Sequence, residues 1–234
     1  MSIPEPVVAV VVAAGSGVRL GGPVPKALRE LGGRPLVAWS VEAMAAGGAD
    51  AVVVVVAEGM QPQFEAALGE ARVPVTLVVG GADRQQSVSR GLAAVPQACR
   101  VVLVHDAARP LVPAEVVERV VDAVRGGATV VTPVVPVVDT IRRVDGEGSV
   151  VIDRSGLRAV QTPQGFDRAT LVAAHAAVGG MFTDDVAVCE AAGERAVLVE
   201  GSRESLKVTE PFDLDVAEVV LTRRLAAAEG ERDG

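Results

Sequence analysis

Aromatic side chains make up only 2% of this 234-residue chain, and tyrosine is absent. Its core must therefore be aliphatic, and valine and alanine dominate an apolar fraction of 50%. Cysteine is almost missing. Cys99 and Cys189 lie far apart in apolar surroundings, which excludes a disulfide framework and reads as two buried thiols in a reducing, cytoplasmic compartment. The two histidines, His105 and His175, cannot make a typical zinc site, and no Ser-His-Asp or Cys-His arrangement is visible along the chain. There is no basic face or stripe, and the net charge is −8, which argues against a nucleic-acid partner. Any anion site must then be local, built from a few placed cations. The N-terminus has no basic leader, and no apolar run approaches the ~18 residues of a membrane span, so neither a signal peptide nor a membrane anchor is expected.

One stretch lacks acid altogether. The chain carries 30 acidic residues, yet none falls between Glu5 and Glu30. Within that window the apolar run Val7–Ala13 passes directly into a glycine-rich loop, Ala14-Gly15-Ser16-Gly17-Val18-Arg19-Leu20-Gly21-Gly22-Pro23-Val24-Pro25-Lys26. A buried strand feeding such a loop, with Arg19 and Lys26 as its only charges, suits a polyphosphate. Glycines let backbone N–H groups approach phosphate oxygens, and the two cations offset the charge. The loop is not a P-loop, because Lys26 follows Pro25 and precedes Ala27. Nor is it a dinucleotide fingerprint, since Leu20 stands where the third glycine belongs and Pro23 and Pro25 prevent an immediate helix. An ordinary strand-to-helix loop is the plain alternative.

Length and rhythm predict a single α/β domain over residues 1–234. Val7–Ala13, Ala51–Ala57, Val75–Val79, Arg100–Val104 and Ala128–Val135 read as strands, uniformly apolar rather than alternating. Helical patterns lie between them at Pro35–Ala46, Pro62–Leu68, Gln86–Val95 and Pro113–Val124. Uniformly apolar strands imply a mostly parallel central sheet with helices on both faces, whose ligands sit beyond the C-terminal strand ends. The rhythm changes at about residues 137–158. Short strands flank Asp145-Gly146-Glu147-Gly148 and predict a β-hairpin, either a projecting dimerisation arm or an edge hairpin of the same sheet. Helical patterns then resume at Asp167–Val178, Asp184–Ala192 and Phe212–Ala228, with a strand at Ala196–Val199.

Other polar groups fall at predicted strand ends. Gly80-Gly81-Ala82-Asp83-Arg84-Gln85-Gln86-Ser87 could read a base or sugar edge, or Asp83 could simply cap a helix. His105-Asp106-Ala107-Ala108-Arg109 could hold a metal ion, or a substrate hydroxyl and a phosphate, with His105 a packing residue rather than a base. Arg154, Thr162 and Lys207 stand alone and each reads as a surface group. Asp184-Asp185, after Thr183, reads as a helix start.

Taken in order, these segments resemble the 2-C-methyl-D-erythritol 4-phosphate cytidylyltransferases of non-mevalonate isoprenoid biosynthesis. The likeness runs from Val7 to about Arg224. It rests on AAGSGVRLGGPVPK (13–26), GGADRQQSV (80–88), VHDAARPLV (104–112), DTIRR (139–143), DRSGL (153–157), QTPQGF (161–166), FTDD (182–185) and LVEGSRESLKVTEPFDL (198–214). The first motif is shared with many sugar-nucleotidyltransferases. HDAARP, the TPQ segment and Leu206-Lys207-Val208-Thr209 are more specific.

The resemblance implies a Rossmann-like nucleotidyltransferase fold, a homodimer with exchanged β-arms, CTP as co-substrate and Mg2+. It implies that Ala13, Ala14, Gly15, Gly17, Arg19 and Lys26 bind the CTP phosphates, with Arg19 and Lys26 stabilising the transition state. Gly81, Ala82 and Ser87 would lie near the cytosine. Asp106, Ala107, Arg109, Thr140 and Lys207 would face the sugar phosphate or the metal, with Asp106 the metal ligand. Arg154 and Thr162 would reach the partner subunit's substrate. A sister enzyme acting on ribitol 5-phosphate is the nearest alternative, and a non-catalytic nucleotide-binding protein is one of a different class. Ala27 stands where many members have glutamine, and Asp83 stands one place later than the acid of some members.

Overall fold

The computed structural model describes residues 5–15, 24–180 and 182–230. Gly17 and Arg19 lie outside them. In chain order the elements are β1 (Val7–Val12), a 3-10 turn (Lys26–Leu28), β2 (Glu30–Leu31), β3 (Arg34–Pro35), α1 (Leu36–Ala46), β4 (Ala51–Val56), α2 (Gln61–Leu68), β5 (Val75–Val79) and α3 (Arg84–Ala93). Then come β6 (Val101–Asp106), α4 (Ala114–Arg125), β7 (Val130–Pro136), β8 (Ile141–Asp145), β9 (Gly148–Ile152), β10 (Arg158–Val160), β11 (Gln164–Asp167), α5 (Arg168–Ala177), α6 (Asp185–Ala191), β12 (Val197–Glu200) and α7 (Pro211–Gly230).

The central sheet runs β10-β7-β11-β6-β1-β4-β5, with β12 also on β7. The β6-β1-β4-β5 half is parallel throughout. β11 enters antiparallel between β6 and β7, so the sheet is mostly rather than wholly parallel. β1 is the switch point: one neighbour, β4, leads outward one way and the other, β6, leads the opposite way. Parallel open sheets bind ligands in the crevice at such a point.

β1 also divides the core. Val7, Ala9 and Val11 face one layer, packed with α1, α2 and α4 through Val41, Phe64 and Val117. Val8 and Val10 face the other, packed with α3, α5 and α6 through Val88, Leu171 and Cys189. Strands buried on both faces explain the unbroken valine runs. A smaller third cluster seats α7, through Ala217 and Leu221, against Leu31 and Leu36.

Helix ends follow local chemistry. Asp83, Asp167 and Asp184 each accept a backbone N–H as the N-cap of α3, α5 and α6. α4 begins after Pro113 with Glu115 in its first turn, and Gly127, at φ +107°, turns the chain away after it. Gly91 lets α3 lie directly on the sheet, because a Cβ there would meet Val10 Cγ1 at 2.6 Å and Val55 Cγ2 at 2.8 Å. Gly91→Ala must push α3 outward and is expected to destabilise the fold by about 1–3 kcal/mol, measured as a lower urea midpoint with unchanged slope.

The hairpin β8-β9 forms its own two-stranded sheet and does not join the central one. Of the two readings of this segment, the edge-strand one is therefore excluded. The return strand β10-β11 was not visible as a pattern in the sequence. It runs antiparallel along β7 with a slip: Val160 pairs with Val134, so an unbroken register would set Gly165 against Thr129, but Gly165 pairs with Val131. The slip holds Gln161, Thr162 and Pro163, with a cis bond before the proline.

Candidate active site

Beyond the C-terminal ends of β1 and β6 lies a cavity of about 510 Å3. Ala13, Ala14 and Gly15 line it, with Lys26 from the 3-10 turn and Gly81–Arg84 with Ser87 from the start of α3. Asp106, Thr183 and Lys207 complete it.

The wall around Gly81 is held by its own residues. Ser87 Oγ accepts from the Gly81 N–H at 3.1 Å and donates to the Asp83 carbonyl at 2.8 Å. Gly80 is forced by close approach, since a Cβ there would lie 2.9 Å from Ala14 Cβ. Asp83 caps α3, as the plainer reading held, while Gly81, Ala82 and Ser87 still line the cavity. Ala27 is buried in the core beside α1 and also touches the cavity.

Asp106 is the electrostatic centre. Its Oδ2 lies 2.6 Å from Lys207 Nζ and its Oδ1 4.0 Å from Arg84. Burial alone would raise its pKa. Lys207, Arg84 and Arg109 outweigh that and bring it down to about 2, so Asp106 is anionic at any working pH. Its backbone N–H donates to Thr162 Oγ at 3.1 Å, and Ala107 N–H to the Val12 carbonyl at 3.2 Å, which fixes the strand end. Lys207 arrives on a loop pinned by Val208, whose N–H donates to the Ala108 carbonyl at 2.8 Å.

His105 is fully buried beneath this floor. Thr162 Oγ already accepts from Asp106, so its hydrogen points to His105 Nδ1 at 3.0 Å, and His105 Nε2–H donates to the Arg109 carbonyl at 3.1 Å. Burial pushes its pKa down to about 4. His105 is thus a neutral strut, in line with the packing reading. The unfolded chain takes up this proton first, near pH 6.5, so stability falls as pH drops from about 6.5 to 4. Full protonation removes on the order of 3 kcal/mol through this one group. Urea midpoints between pH 7 and 4 should therefore decline less steeply in His105→Gln than in the parent.

Several residues stand away from the cavity wall. Arg109 donates to the Ser205 carbonyl at 2.7 Å and to the Val160 carbonyl at 3.3 Å, so it braces the Lys207 loop. Thr140 and Arg154 are exposed on the arm, where Arg154 donates to the Val138 carbonyl. Thr162 differs most from expectation. It is buried, and its hydroxyl is committed to Asp106 and His105 of its own chain rather than reaching outward. Arg84 and Thr183 line the cavity although sequence reasoning gave them no role; both lie inside the motifs above, and only their place in the cavity lining singles them out.

A Ser-His-Asp chain invisible in the sequence does exist in space. Ser89 Oγ lies 3.1 Å from His175 Nδ1, and His175 Nε2 lies 3.0 Å from Asp185 Oδ1. Asp185 Oδ2, however, is 2.7 Å from Arg84, and none of the three lines the cavity.

The cavity thus combines a glycine-rich backbone lining and Lys26 with Lys207 and Arg84 around the Asp106 carboxylate, and no histidine or cysteine lines it among the described residues. Such a site suits phosphates and calls for no nucleophile–base pair, as a nucleotidyltransferase site requires. A model of the 2-C-methyl-D-erythritol 4-phosphate cytidylyltransferase family matches residues 7–223, and the chain belongs to that family. A Streptomyces coelicolor protein of that name is 50% identical, covering 94% of this chain and 87% of its own length. The Saccharopolyspora erythraea one is 49% identical, covering 92% and 99%. The crystal structure of the Thermus thermophilus enzyme superposes with a TM-score of 0.77 at 36% identity, covering 91% of this chain and 98% of that one.

Proposed function

We propose that this cavity moves the cytidylyl group of CTP onto 2-C-methyl-D-erythritol 4-phosphate, giving 4-diphosphocytidyl-2-C-methyl-D-erythritol and pyrophosphate. The observation that carries the reading is Asp106 held at 2.6 Å by Lys207, across a glycine-lined cavity from Lys26. An oxygen of the substrate phosphate attacks the α-phosphorus of CTP. A new P–O bond forms, the bond to the β-bridging oxygen breaks, and its electron pair leaves with pyrophosphate. The nucleophile is already anionic, so no side chain has to remove a proton. The obstacle is repulsion between anions, worth about 4 kcal/mol for each charge pair at 4 Å and an effective dielectric near 20.

In this reading Ala13, Ala14, Gly15 and Gly17 offer backbone to the triphosphate, and Arg19 and Lys26 neutralise charge that grows on it. Gly81, Ala82 and Ser87 meet the cytosine. Asp106, Ala107 and Lys207 face the acceptor's sugar phosphate or the metal. Arg109 acts through the Lys207 loop, and Thr162 acts from beneath Asp106. Among the described residues no cluster of three His, Cys, Asp or Glu side chains could cage a metal. Mg2+ commonly takes one or two carboxylates and completes its shell with substrate phosphates and water, a donor set that Asp106 with a bound triphosphate would fit. When bound, the ion would supply positive charge to the reacting phosphates.

Residues 1–234 act as one domain carrying the arm, and a second copy completes the assembly. Val138, Val144 and Val151 are exposed on or beside the arm, and a lone two-stranded hairpin is marginal in water. Both favour a homodimer in which Thr140 and Arg154 serve the partner's cavity. The free buried thiols of Cys99 and Cys189 favour a cytoplasmic setting.

The test is pyrophosphate release from CTP with Mg2+, supplied with 2-C-methyl-D-erythritol 4-phosphate or ribitol 5-phosphate. Release with the first alone is expected. Release with the second alone would reassign the acceptor, and CTP binding without release would leave only a nucleotide-binding protein.

A further inference from the structure

Behind the cavity, a second carboxylate has no visible part in the reaction just described. Asp185 has a side chain 1% exposed, and its Oδ2 lies 2.7 Å from Arg84. That oxygen accepts no hydrogen bond of good geometry, so its hold on Arg84 is that of an ion pair. Its Oδ1 lies 3.0 Å from His175 Nε2, and its backbone N–H donates to Gln164 Oε1 at 3.3 Å. Gln164 Nε2 in turn donates to Asp184 Oδ2 at 2.8 Å, and Asp184 caps α6. The carboxylate is therefore fixed by β11, α5 and α6 together.

A buried ion pair seldom exceeds an apolar replacement in stability, because desolvation offsets the attraction. This one does something an apolar pair could not. Arg84 leaves the first residue of α3, is 28% exposed to the cavity, and lies 4.0 Å from Asp106 Oδ1, while Lys207 holds the other oxygen. Asp106 thus stands between two cations in different settings. Lys207 is 42% exposed on a loop, open to an incoming phosphate. Arg84 is paired at 2.7 Å with a buried anion.

We propose that Asp185 and Arg84 form a positioning pair that keeps the Asp106 carboxylate aimed into the cavity when Lys207 turns to substrate, with His175 and Gln164 fixing the anchor from behind. The proposal rests on the cytidylyl-transfer reading. The guanidinium, already compensated by Asp185, orients Asp106 without adding net charge at the site of phosphate entry.

A double-mutant cycle separates this role from a structural one. Asp185→Asn is expected to lower kcat by about 10- to 100-fold, the range seen when a partner orienting a ligand from behind is removed. KM for CTP should change less than about threefold, because the triphosphate wall is untouched. The urea midpoint should fall, since Arg84 loses its buried partner. Arg84→Met with Asp185→Asn removes both charges and should recover most of the midpoint but none of the rate. Recovery of rate together with midpoint in the double variant would make the pair merely structural and overturn the proposal, as would a near-parental kcat in a folded Asp185→Asn. A parent that releases no pyrophosphate would sink the functional reading itself, and an active parent with an unaffected Asp185→Asn sinks only the pair.

Discussion

Lys26→Ala is expected to lower turnover by about 10²- to 10³-fold while leaving the protein folded. Lys26 opens the 3-10 turn, which is closed by Leu28 N–H to the Pro25 carbonyl at 2.9 Å and Arg29 N–H to the Lys26 carbonyl at 3.0 Å. These are backbone bonds, which alanine retains, and the neighbour that packs into the core is Ala27. What alanine removes is a cation placed before the reaction begins. Its worth grows as charge moves onto the leaving pyrophosphate, so the loss should appear in kcat more than in KM for CTP. Arg19→Ala should behave alike, being the other cation of the acid-free window. Steady-state kinetics with a parallel urea titration would decide. Near-normal turnover in a folded Lys26→Ala would remove this wall from the chemistry.

The second large effect is expected at Asp106. Asp106→Asn keeps the shape and the backbone bonds to Thr162 and Val12 but removes the charge. Two cations then face each other across a neutral amide, and the carboxylate proposed to hold a metal ion is gone. Turnover should fall by on the order of 10²- to 10³-fold, and raising Mg2+ should restore little of it. Because Lys207 and Arg84 hold the Asp106 pKa near 2, its titration cannot produce an acid limb in the rate profile above about pH 4. The acid limb of kcat/KM should instead follow the second ionisation of the acceptor phosphate, near pH 6 for a phosphate monoester. A limb near pH 4 that disappears in Asp106→Asn would contradict this.

The proposed phosphate wall was legible for a physical reason. A glycine loop depleted of acid in an acidic chain is a local, contiguous signal. Asp106 was legible too, as a carboxylate at a strand end. Arg84, Asp185 and His175 were not, because their association is made by packing α3, α5 and α6 on one face of the sheet, across 101 positions from Arg84 to Asp185. No short-range pattern encodes such a meeting. β10 and β11 escaped for another reason. Gln161-Thr162-Pro163-Gln164 carries no apolar periodicity, and its place in the sheet is enforced by pairing with β6 and β7. Thr162 was read with the arm it follows in sequence, but its neighbours in space are Asp106 and His105.

The return strand bears on how this fold can diversify. One continuous stretch leads from the foot of the arm at Arg158, past Thr162 under Asp106, to Gln164 behind Asp185. It works as a ruler: adding or deleting one residue between Val160 and Gln164 would shift both contacts at once. The turn at Asp145–Gly148 is only a spacer, exposed and tied to nothing but its own hairpin among the described residues. Insertions and deletions should therefore accumulate freely at the tip of the arm and be purged from its return path, so that lineages can refit the reach of the arm without recalibrating the floor of the cavity.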